Sequence, residues 1–521
     1  MATNVAARDG GLAEAQQQDD FDHGLAHDDE RSPMLATAPD RPPQAVPSKW
    51  FRRRVLAMCI LFLFIAEVST YIMDPPSQAI MEDIICRDRF PDHALNVWDR
   101  RDDRCKDKLV QDTLAMVRSW QLVVENLVPV VVQIPFGVLA DKYGRRPVLI
   151  LSFVGCILNV AWVMLVLGLP DVFSIWAILF GALPYLIGGG SLMTIAMLYT
   201  ITSDIVPTPQ LSHLYFLIRA LILVLHVVIT PTAAMLMAKN AWTPMWLGFI
   251  VAVLGALTTL LVPETLHFRQ HADGRARYQT VPSEDEDDDA ELAYPKEGGV
   301  VAKAWRSVED NTAHIWRFAS ESRPIMILAL AYSADYSVQI SFVYFRLQYM
   351  TSRYALSWST ATYMSTFGYV TAVVVLVFFL PLASSLLTSY AGLGPVKRDL
   401  VLSQASLVFT GAGALLTALA ATPWVLVAAL VICSFGVGFT SICRAFMMAI
   451  VEPHHVATLN TIVSMLEASL GLMSAPAEGW LLAKGLEIGG MGTGLLYFVI
   501  TGLATLMAIP VFLFRIPAGL T

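Results

Sequence analysis

Long apolar stretches, separated by short polar connections, dominate this sequence. Twelve of them reach the roughly 20 residues that a helix needs to cross a bilayer. They lie near residues 53–73, 119–139, 147–168, 173–201, 211–237, 243–262, 324–349, 356–386, 399–421, 424–450, 456–483 and 492–515. Because lipid cannot hydrogen-bond to backbone groups, each stretch is predicted to be a helix. The predicted fold class is therefore an all-α membrane protein with twelve transmembrane helices.

Polar segments divide the chain into parts. Residues 1–50 are rich in Asp, Ala, Pro and Gln, which predicts a disordered cytoplasmic tail. Two sets of six helices, at 51–266 and 323–521, flank a strongly acidic segment at 267–322, which is predicted to be a cytoplasmic linker. Within the first set, the charged segment 74–118 is predicted to form an external loop.

Composition excludes a soluble enzyme. Hydrophobic residues make up 55% of the 521 residues and charged residues only 15%, with a mean hydropathy of +0.57. The net charge of −8 arises largely in the soluble segments and does not indicate a nucleic-acid partner. The sequence contains no GxxxxGK[ST], CxxC, HExxH or GxSxG pattern, so we expect no ATP drive, no cofactor, no metal site and no catalytic residues.

Basic residues in the short connections predict the orientation. They lie before the first helix, in the second connection and before the ninth helix, at Arg52, Arg53, Arg54, Lys142, Arg145, Arg146, Lys397 and Arg398. The short loops 169–171 and 421–423, on the opposite side, carry no Lys or Arg. Both termini are therefore predicted to be cytoplasmic. We expect the plasma membrane, with the vacuolar membrane as the alternative.

Two of the six cysteines fall outside the predicted helices. Cys86 and Cys105 lie in the predicted external loop, which faces an oxidising compartment where disulfides persist. A disulfide between them is the favoured interpretation, and two free thiols are the alternative.

The connection between the second and third helices carries the most specific motif. It reads Gly137-Val138-Leu139-Ala140-Asp141-Lys142-Tyr143-Gly144-Arg145-Arg146. This string resembles the signature loop of the major facilitator superfamily, and the resemblance implies two six-helix bundles that alternate access to a small-molecule site between them. It also implies a gating role for Gly137, Asp141, Gly144, Arg145, Arg146 and Asp204.

The resemblance assigns partners to two of these residues. Asp141 would address the N-terminal end of helix 11, and Arg145 would address an acid at the cytoplasmic end of helix 4, where Asp204 stands. In addition, Pro263-Glu264-Thr265 resembles the PE(S/T) motif that many members carry after helix 6.

Acidic residues within the predicted helices are candidates for proton coupling, because charges at membrane depth are costly and usually functional. The candidates are Glu67, Glu125, Asp335 and Glu467. The alternative is that one or more of them pairs permanently with Arg219 or another helix and only fixes packing. Gln339 follows Asp335 by one helical turn and shares its face, which makes Gln339 a candidate substrate contact. Arg219 is a second candidate. Three further charges near helix ends are expected to snorkel to the interface: Arg346, Arg444 and Glu478.

A narrower resemblance rests on Ile85-Cys86-Arg87 in the charged loop. It is similar to fungal transporters distantly related to the proton-coupled folate carriers. Drug/proton antiporters usually carry an arginine in helix 4 and a Gly-Pro pair in helix 5. This chain has no arginine between Phe173 and Thr202 and has Thr230-Pro231 in place of the Gly-Pro pair, which argues against assignment to the drug/proton antiporter group.

The favoured function is proton-coupled export of a drug or secondary metabolite, with the small molecule, protons and the lipid bilayer as partners. Uptake symport of an organic anion or vitamin-like solute is one alternative. A nutrient receptor that signals through the linker without net transport is another.

Overall fold

The computed structural model of the protein describes residues 48–90, 103–206, 208–266, 323–451 and 456–516. These residues are overwhelmingly helical, with no strand among them. The predicted linker at 267–322 and nearly all of the predicted tail at 1–50 lie outside the described residues.

Twelve long helical segments follow one another along the chain. They are α1 Lys49–Arg89, α2 Lys108–Tyr143, α3 Arg145–Gly168, α4 Ile175–Ile205, α5 Thr208–Lys239, α6 Trp242–Thr259, α7 Arg323–Tyr354, α8 Trp358–Ser389, α9 Pro395–Leu419, α10 Pro423–Ile450, α11 Val456–Ile488 and α12 Gly490–Leu513. Among the described residues, 11 helices are long and apolar enough to cross a membrane. The twelfth, α11, is long enough but carries Glu467, Glu478 and Lys484, which lower its apolar character.

Local sequence explains where several helices begin. Ser48 and Asp107 cap α1 and α2 by accepting hydrogen bonds from the backbone N–H groups of Phe51 and Leu109, at 3.1 and 2.9 Å. Pro395 opens α9, where a missing N–H costs nothing. These caps satisfy donors that the first helical turn leaves unpaired.

The α4 segment is broken at its three consecutive glycines. Its first part, Ile175–Ile187, is a tight 3₁₀ helix, and the α-helix Gly190–Ile205 follows. Gly189 and Gly190 have φ values of 83° and 60°, which side chains rarely adopt. A Cβ atom on Gly188 would collide with the backbone of Leu151 and Ser152. The glycines therefore permit both the bend and the close approach of α4 to α3.

Two helix pairs join the first six helices to the last six. The helix α2 packs along α11, and α5 packs along α8. The remaining strong contacts lie within each set of six, for example between α1 and α6 and between α9 and α12. The two sets therefore meet along α2–α11 and α5–α8.

The external loop predicted at 74–118 was too long at both ends. Helix α1 continues to Arg89 and α2 already begins at Lys108. The predicted apolar stretch ended at residue 73, but α1 continues through Pro75 and Pro76, because prolines are tolerated in membrane helices when neighbouring helices satisfy the backbone. Cys86, near the end of α1, forms a disulfide with Cys105, just before α2.

The helices define two ends of the molecule. The end that carries the α2–α3 connection at Gly144 is called the signature face. The end that carries Cys86 and Cys105 is called the disulfide face. Successive helices alternate in direction, so α1 begins and α12 ends at the signature face.

Candidate functional site

A buried ion pair holds the signature face of the first bundle together. Arg145, the first residue of α3, lies with its Nε 3.6 Å from Oδ2 of Asp204 at the end of α4, and both side chains are only 2% exposed. The hydroxyl of Thr265 donates to the same Asp204 oxygen at 3.0 Å. Three segments, the start of α3, the end of α4 and the chain after α6, are thereby fixed to one another.

Glu264 caps the N-terminus of α3 from outside that helix. Its two carboxylate oxygens accept hydrogen bonds from the backbone N–H groups of Arg145 and Arg146, at 2.9 and 3.0 Å. The side chain of Arg146 in turn donates to the Leu260 carbonyl at 2.6 Å. Gly144 has a φ of 117°, and a Cβ there would collide with the Glu264 carboxylate. The cap therefore requires glycine at position 144. The sequence motif alone did not indicate that Glu264 caps α3.

Electrostatics favour the ionised form of Glu264. Partial burial raises the pKa of Glu264, but four backbone N–H donors lower it, and the net pKa lies below its ordinary value. The partial positive charge at the N-terminus of a helix favours such an anion.

Two other residues of the motif are less defined by contacts. Gly137 lies within α2, and a Cβ there would meet open space, so its immediate surroundings do not require glycine. The side chain of Asp141 lies outside the described residues, as do the side chains of the first turn of α11. The proposed contact between Asp141 and the start of α11 stays a prediction.

A large cavity lies between the two bundles. Its volume is about 810 Å³, within the range of sites for drug-sized ligands. Tyrosines form much of its polar lining: Tyr71, Tyr199, Tyr332, Tyr336, Tyr344 and Tyr369. The other polar or charged members include His226, Gln339, Arg346, Arg444 and Glu467. From the midplane the cavity extends to Met448, near the signature-face end of α10.

Among the described residues, hydrogen bonds between the bundles lie mainly at the disulfide face. Glu82, in α1, is only 6% exposed and accepts hydrogen bonds from Lys106 at 2.6 and 2.8 Å. It also accepts one from the indole N–H of Trp358, at the start of α8, at 2.7 Å. Gln111 donates to Glu82 as well, and its backbone carbonyl accepts from Gln348 of α7 at 2.8 Å. Glu82 therefore joins the disulfide-linked segment to the second bundle at this face.

A second charge network lies deeper, between α1 and α2. Arg118 is 6% exposed and pairs with Asp74. Its guanidinium lies 5.6 Å from the ring centre of Tyr344 in α7. Asp74 and Arg118 were not predicted to lie within helices, because the first predicted helix ended at residue 73 and the second began at residue 119. Glu125, one of the predicted coupling acids, accepts a hydrogen bond from Gln121 at 2.9 Å and lies within electrostatic reach of Arg118.

The predicted acids of the second bundle have different partners. Asp335 is 2% exposed and accepts a hydrogen bond from Gln339, one turn further along α7, at 3.2 Å. No ion pair involves Asp335 among the described residues. Glu467 lies at the cavity wall near Arg444 and the hydroxyl of Tyr332.

Glu67 lies apart from these groups. It lines a smaller pocket of about 260 Å³ between α1, α4 and α5, together with Tyr71 and Tyr199. Tyr71 and Tyr199 also line the central cavity, so the two spaces share a wall. The side chain of Arg219, the predicted cationic partner, lies outside the described residues.

The expectation that Arg346 and Glu478 snorkel to the interface is wrong. Arg346 is 7% exposed and Glu478 is 3% exposed. The Ser341 hydroxyl donates to Glu478 at 2.7 Å, so this carboxyl points into the bundle. Arg346 lines the cavity. It is not at the end of its helix, because α7 continues through a π-helical turn at Ser341–Phe345 and extends to Tyr354.

Residues 115–476 match the family described as Major Facilitator Superfamily. The chain belongs to this superfamily. It is therefore a secondary transporter and not an enzyme, and the predicted class of all-α membrane protein is confirmed.

Similar proteins agree with this family. The chain is 28% identical over 487 residues to the MFS efflux pump atnC of Emericella nidulans, covering 91% of this chain and 90% of that protein. It is 26% identical over 438 residues to the efflux pump ustT of Aspergillus flavus, covering 84% of this chain and 83% of that protein. Among solved structures, a D-xylose-proton symporter shares the fold with a TM-score of 0.58 at 12% identity, covering 90% of this chain and 98% of that one. The narrower resemblance to the folate-carrier group stays a prediction.

The cap formed by Glu264 can be tested by Glu264→Gln. The change keeps the shape of the side chain but removes its negative charge at the N-terminus of α3. We therefore expect the free energy of unfolding to fall by about 1 kcal/mol. The measurement is the thermal unfolding midpoint of the purified protein at neutral pH. Because the pKa of Glu264 is lowered, its contribution is present at neutral pH and is lost as the pH falls through the folded-state pKa.

The thermal unfolding midpoints of Glu264→Gln and the wild type should therefore converge at acidic pH. The control is Glu487→Gln, which removes an exposed carboxylate at the disulfide face. Equal midpoints of the wild type and Glu264→Gln at neutral pH would contradict the cap.

Proposed function

We propose that this transporter exports a small organic molecule, such as a secondary metabolite, from the cytoplasm by proton-driven alternating access. The observation that carries the proposal is the central cavity, whose lining extends to Met448 near the signature face, while Glu82 joins the two bundles at the disulfide face. The names of these two fungal relatives, both efflux pumps, support the outward direction.

Two observations support a cytoplasmic signature face. A disulfide persists in an oxidising compartment, so Cys86–Cys105 favours an external disulfide face. At the other end, the short connections of the signature face carry Lys142, Arg146 and Lys397. On this orientation both termini are cytoplasmic, and the cavity of this conformation is loaded from the cytoplasm. The plasma membrane is the membrane we propose.

Export can be tested by untargeted metabolite profiling of cells and medium, with the transporter deleted and overproduced. We expect at least one compound to build up inside the deletion strain and to be depleted from its medium, because its exit route is lost. Overproduction should reverse both changes. A compound that is left in the medium and scarce inside the deletion strain would instead establish uptake. If no compound changes in either strain, transport itself is contradicted.

Asp335 is the residue that we propose for proton coupling. It is buried at membrane depth, its hydrogen-bond partner Gln339 lines the cavity, and no ion pair compensates it among the described residues. Burying an uncompensated charge costs several kcal/mol. Proton binding at such a carboxyl therefore depends on whether the surrounding space is dry or hydrated, which is the change that alternating access produces. By contrast, Glu125 and Glu467 each lie near an arginine.

The Asp335→Asn variant tests this assignment. In proteoliposomes loaded with the metabolite that profiling identifies, we expect the variant to lose transport driven by a pH gradient. Exchange of labelled for unlabelled metabolite at equal concentrations should persist, since exchange requires no net proton movement. Glu67→Gln, Glu125→Gln and Glu467→Gln are the matched variants. Gradient-driven transport at the wild-type rate in Asp335→Asn would exclude this residue as the coupling group.

Alternating access also predicts that weakening the Glu82 contacts opens the disulfide face. Cys433 lines the central cavity and is a free thiol, so it reports access to that space. A membrane-impermeant maleimide added outside intact cells should label Cys433 faster in Glu82→Gln than in the wild type. Hydrogen bonds to a charged group contribute about 1.5–3 kcal/mol, so the increase should be on the order of tenfold.

The control is Asp112→Asn, which removes an exposed carboxylate on the same face. A Cys433→Ser background measures labelling of the other thiols. If Glu82→Gln and Asp112→Asn label at the same rate, Glu82 does not hold this end closed.

A further inference from the structure

Arg346 is a buried cation that has no ion-pair partner among the described residues. It is 7% exposed, it takes part in no ion pair among the described residues, and its Nε atom has no hydrogen-bond partner there. It lines the central cavity, which is wide enough for a ligand. A charge at membrane depth is costly unless something compensates it, so this position is a candidate for ligand binding.

The acids of the second bundle do not fill this role. Asp335 is hydrogen-bonded by Gln339, and Glu467 lies near Arg444. Glu478, another buried acid of this bundle, accepts a hydrogen bond from the Ser341 hydroxyl. None of these carboxylates forms an ion pair with Arg346 in the described residues. The part of the chain that the structure describes therefore supplies no anion to match the guanidinium.

One aromatic ring lies against the guanidinium, and two further rings continue from it. Its carbon lies 5.0 Å from the ring centre of Tyr369, and Tyr369 packs on His226 with a centroid distance of 4.9 Å. His226 in turn packs on Tyr71 of α1 at 3.7 Å. This stack runs from the first bundle to the second along one wall of the cavity. Planar rings in a ligand could stack on the tyrosines, as aromatic pairs prefer.

Gly368 lies beside Arg346 and carries no side chain. A Cβ on Gly368, adjacent to Tyr369, would lie 3.8 Å from Nη1 of Arg346, in van der Waals contact with it. The Ser434 hydroxyl donates to the carbonyls of Gly368 and Leu430. A guanidinium offers a planar fork of donors that suits the two oxygens of a carboxylate.

We propose that Arg346 binds the carboxylate of an aromatic organic acid, whose rings lie against Tyr369 and neighbouring tyrosines of the cavity. The proposal deepens the function proposed above and rests on it, since it names the class of compound that the transporter carries. It makes the substrate an anion, in place of the neutral or cationic compounds that the same cavity volume would also admit.

Fluorescein and rhodamine 6G provide matched probes for the test. Both are xanthene dyes of similar size, but fluorescein carries a free carboxylate and rhodamine 6G is an esterified cation. Binding to the purified full-length protein is measured by fluorescence polarisation. We expect the wild type to bind fluorescein more tightly than rhodamine 6G. Arg346→Gln should weaken fluorescein binding by on the order of tenfold or more, since a hydrogen-bonded charge contributes about 1.5–3 kcal/mol.

Three further variants make the result specific. Arg346→Lys keeps the charge but not the planar fork, and should bind fluorescein with intermediate affinity. Arg353→Gln is the matched control, because Arg353 lies on the same helix but donates to Tyr349 and the Ala418 carbonyl outside the cavity. It should bind fluorescein as the wild type does. Arg346→Gln combined with Glu478→Gln should stay as weak as Arg346→Gln alone.

Several outcomes would overturn the proposal. They are a wild type that binds fluorescein no more tightly than rhodamine 6G, an Arg346→Gln variant with wild-type affinity, and recovery of fluorescein binding in the double variant. The last result would make Arg346 an internal partner of Glu478. Failure of this inference is separable from failure of the proposed function. Dye binding is measured without transport, whereas metabolite profiling reports transport whatever the charge of the compound.

Discussion

The cost of placing a charge or an unpaired polar group in a bilayer constrains this structure more than any other factor. Each buried charged side chain must be paired, hydrogen-bonded or turned toward the cavity. Arg145 meets Asp204, and Arg118 meets Asp74. Glu82 forms an ion pair with Lys106 and accepts a hydrogen bond from Trp358. The first two contacts lie within the first bundle, and the third joins the two bundles at the disulfide face.

The two faces use their polar contacts differently. At the signature face, Glu264 and Asp204 join α3, α4 and the segment after α6, all within the first bundle. That corner can move as a rigid unit, since these bonds do not cross to the second bundle. At the disulfide face, Glu82 and Gln111 reach across to α7 and α8. Closure of that face therefore depends on bonds that a transport cycle must break and remake.

The ion pair at the signature face followed from sequence, whereas the deeper charges did not. The motif around Gly144 and Arg145 is local, and its resemblance to a family predicted Asp204 as the partner of Arg145. Asp74 and Arg118 were missed because the apolar stretches ended at residue 73 and began at residue 119. Arg346 was assigned to the interface because it lay near the end of the stretch 324–349. Helix length and rotation decide such positions, and both depend on packing against neighbouring helices.

The sequence by itself determined the fold class, the number of membrane segments and the site of the tight connection at Gly144. Those features follow from hydrophobic stretch length and from backbone requirements that act over a few residues. Only the tertiary structure decided that Glu82 joins the two bundles, that Glu264 caps α3, and that Arg346 faces the cavity with no ion pair among the described residues. These facts arise from contacts between helices far apart in sequence, and a linear pattern of apolar residues does not specify them.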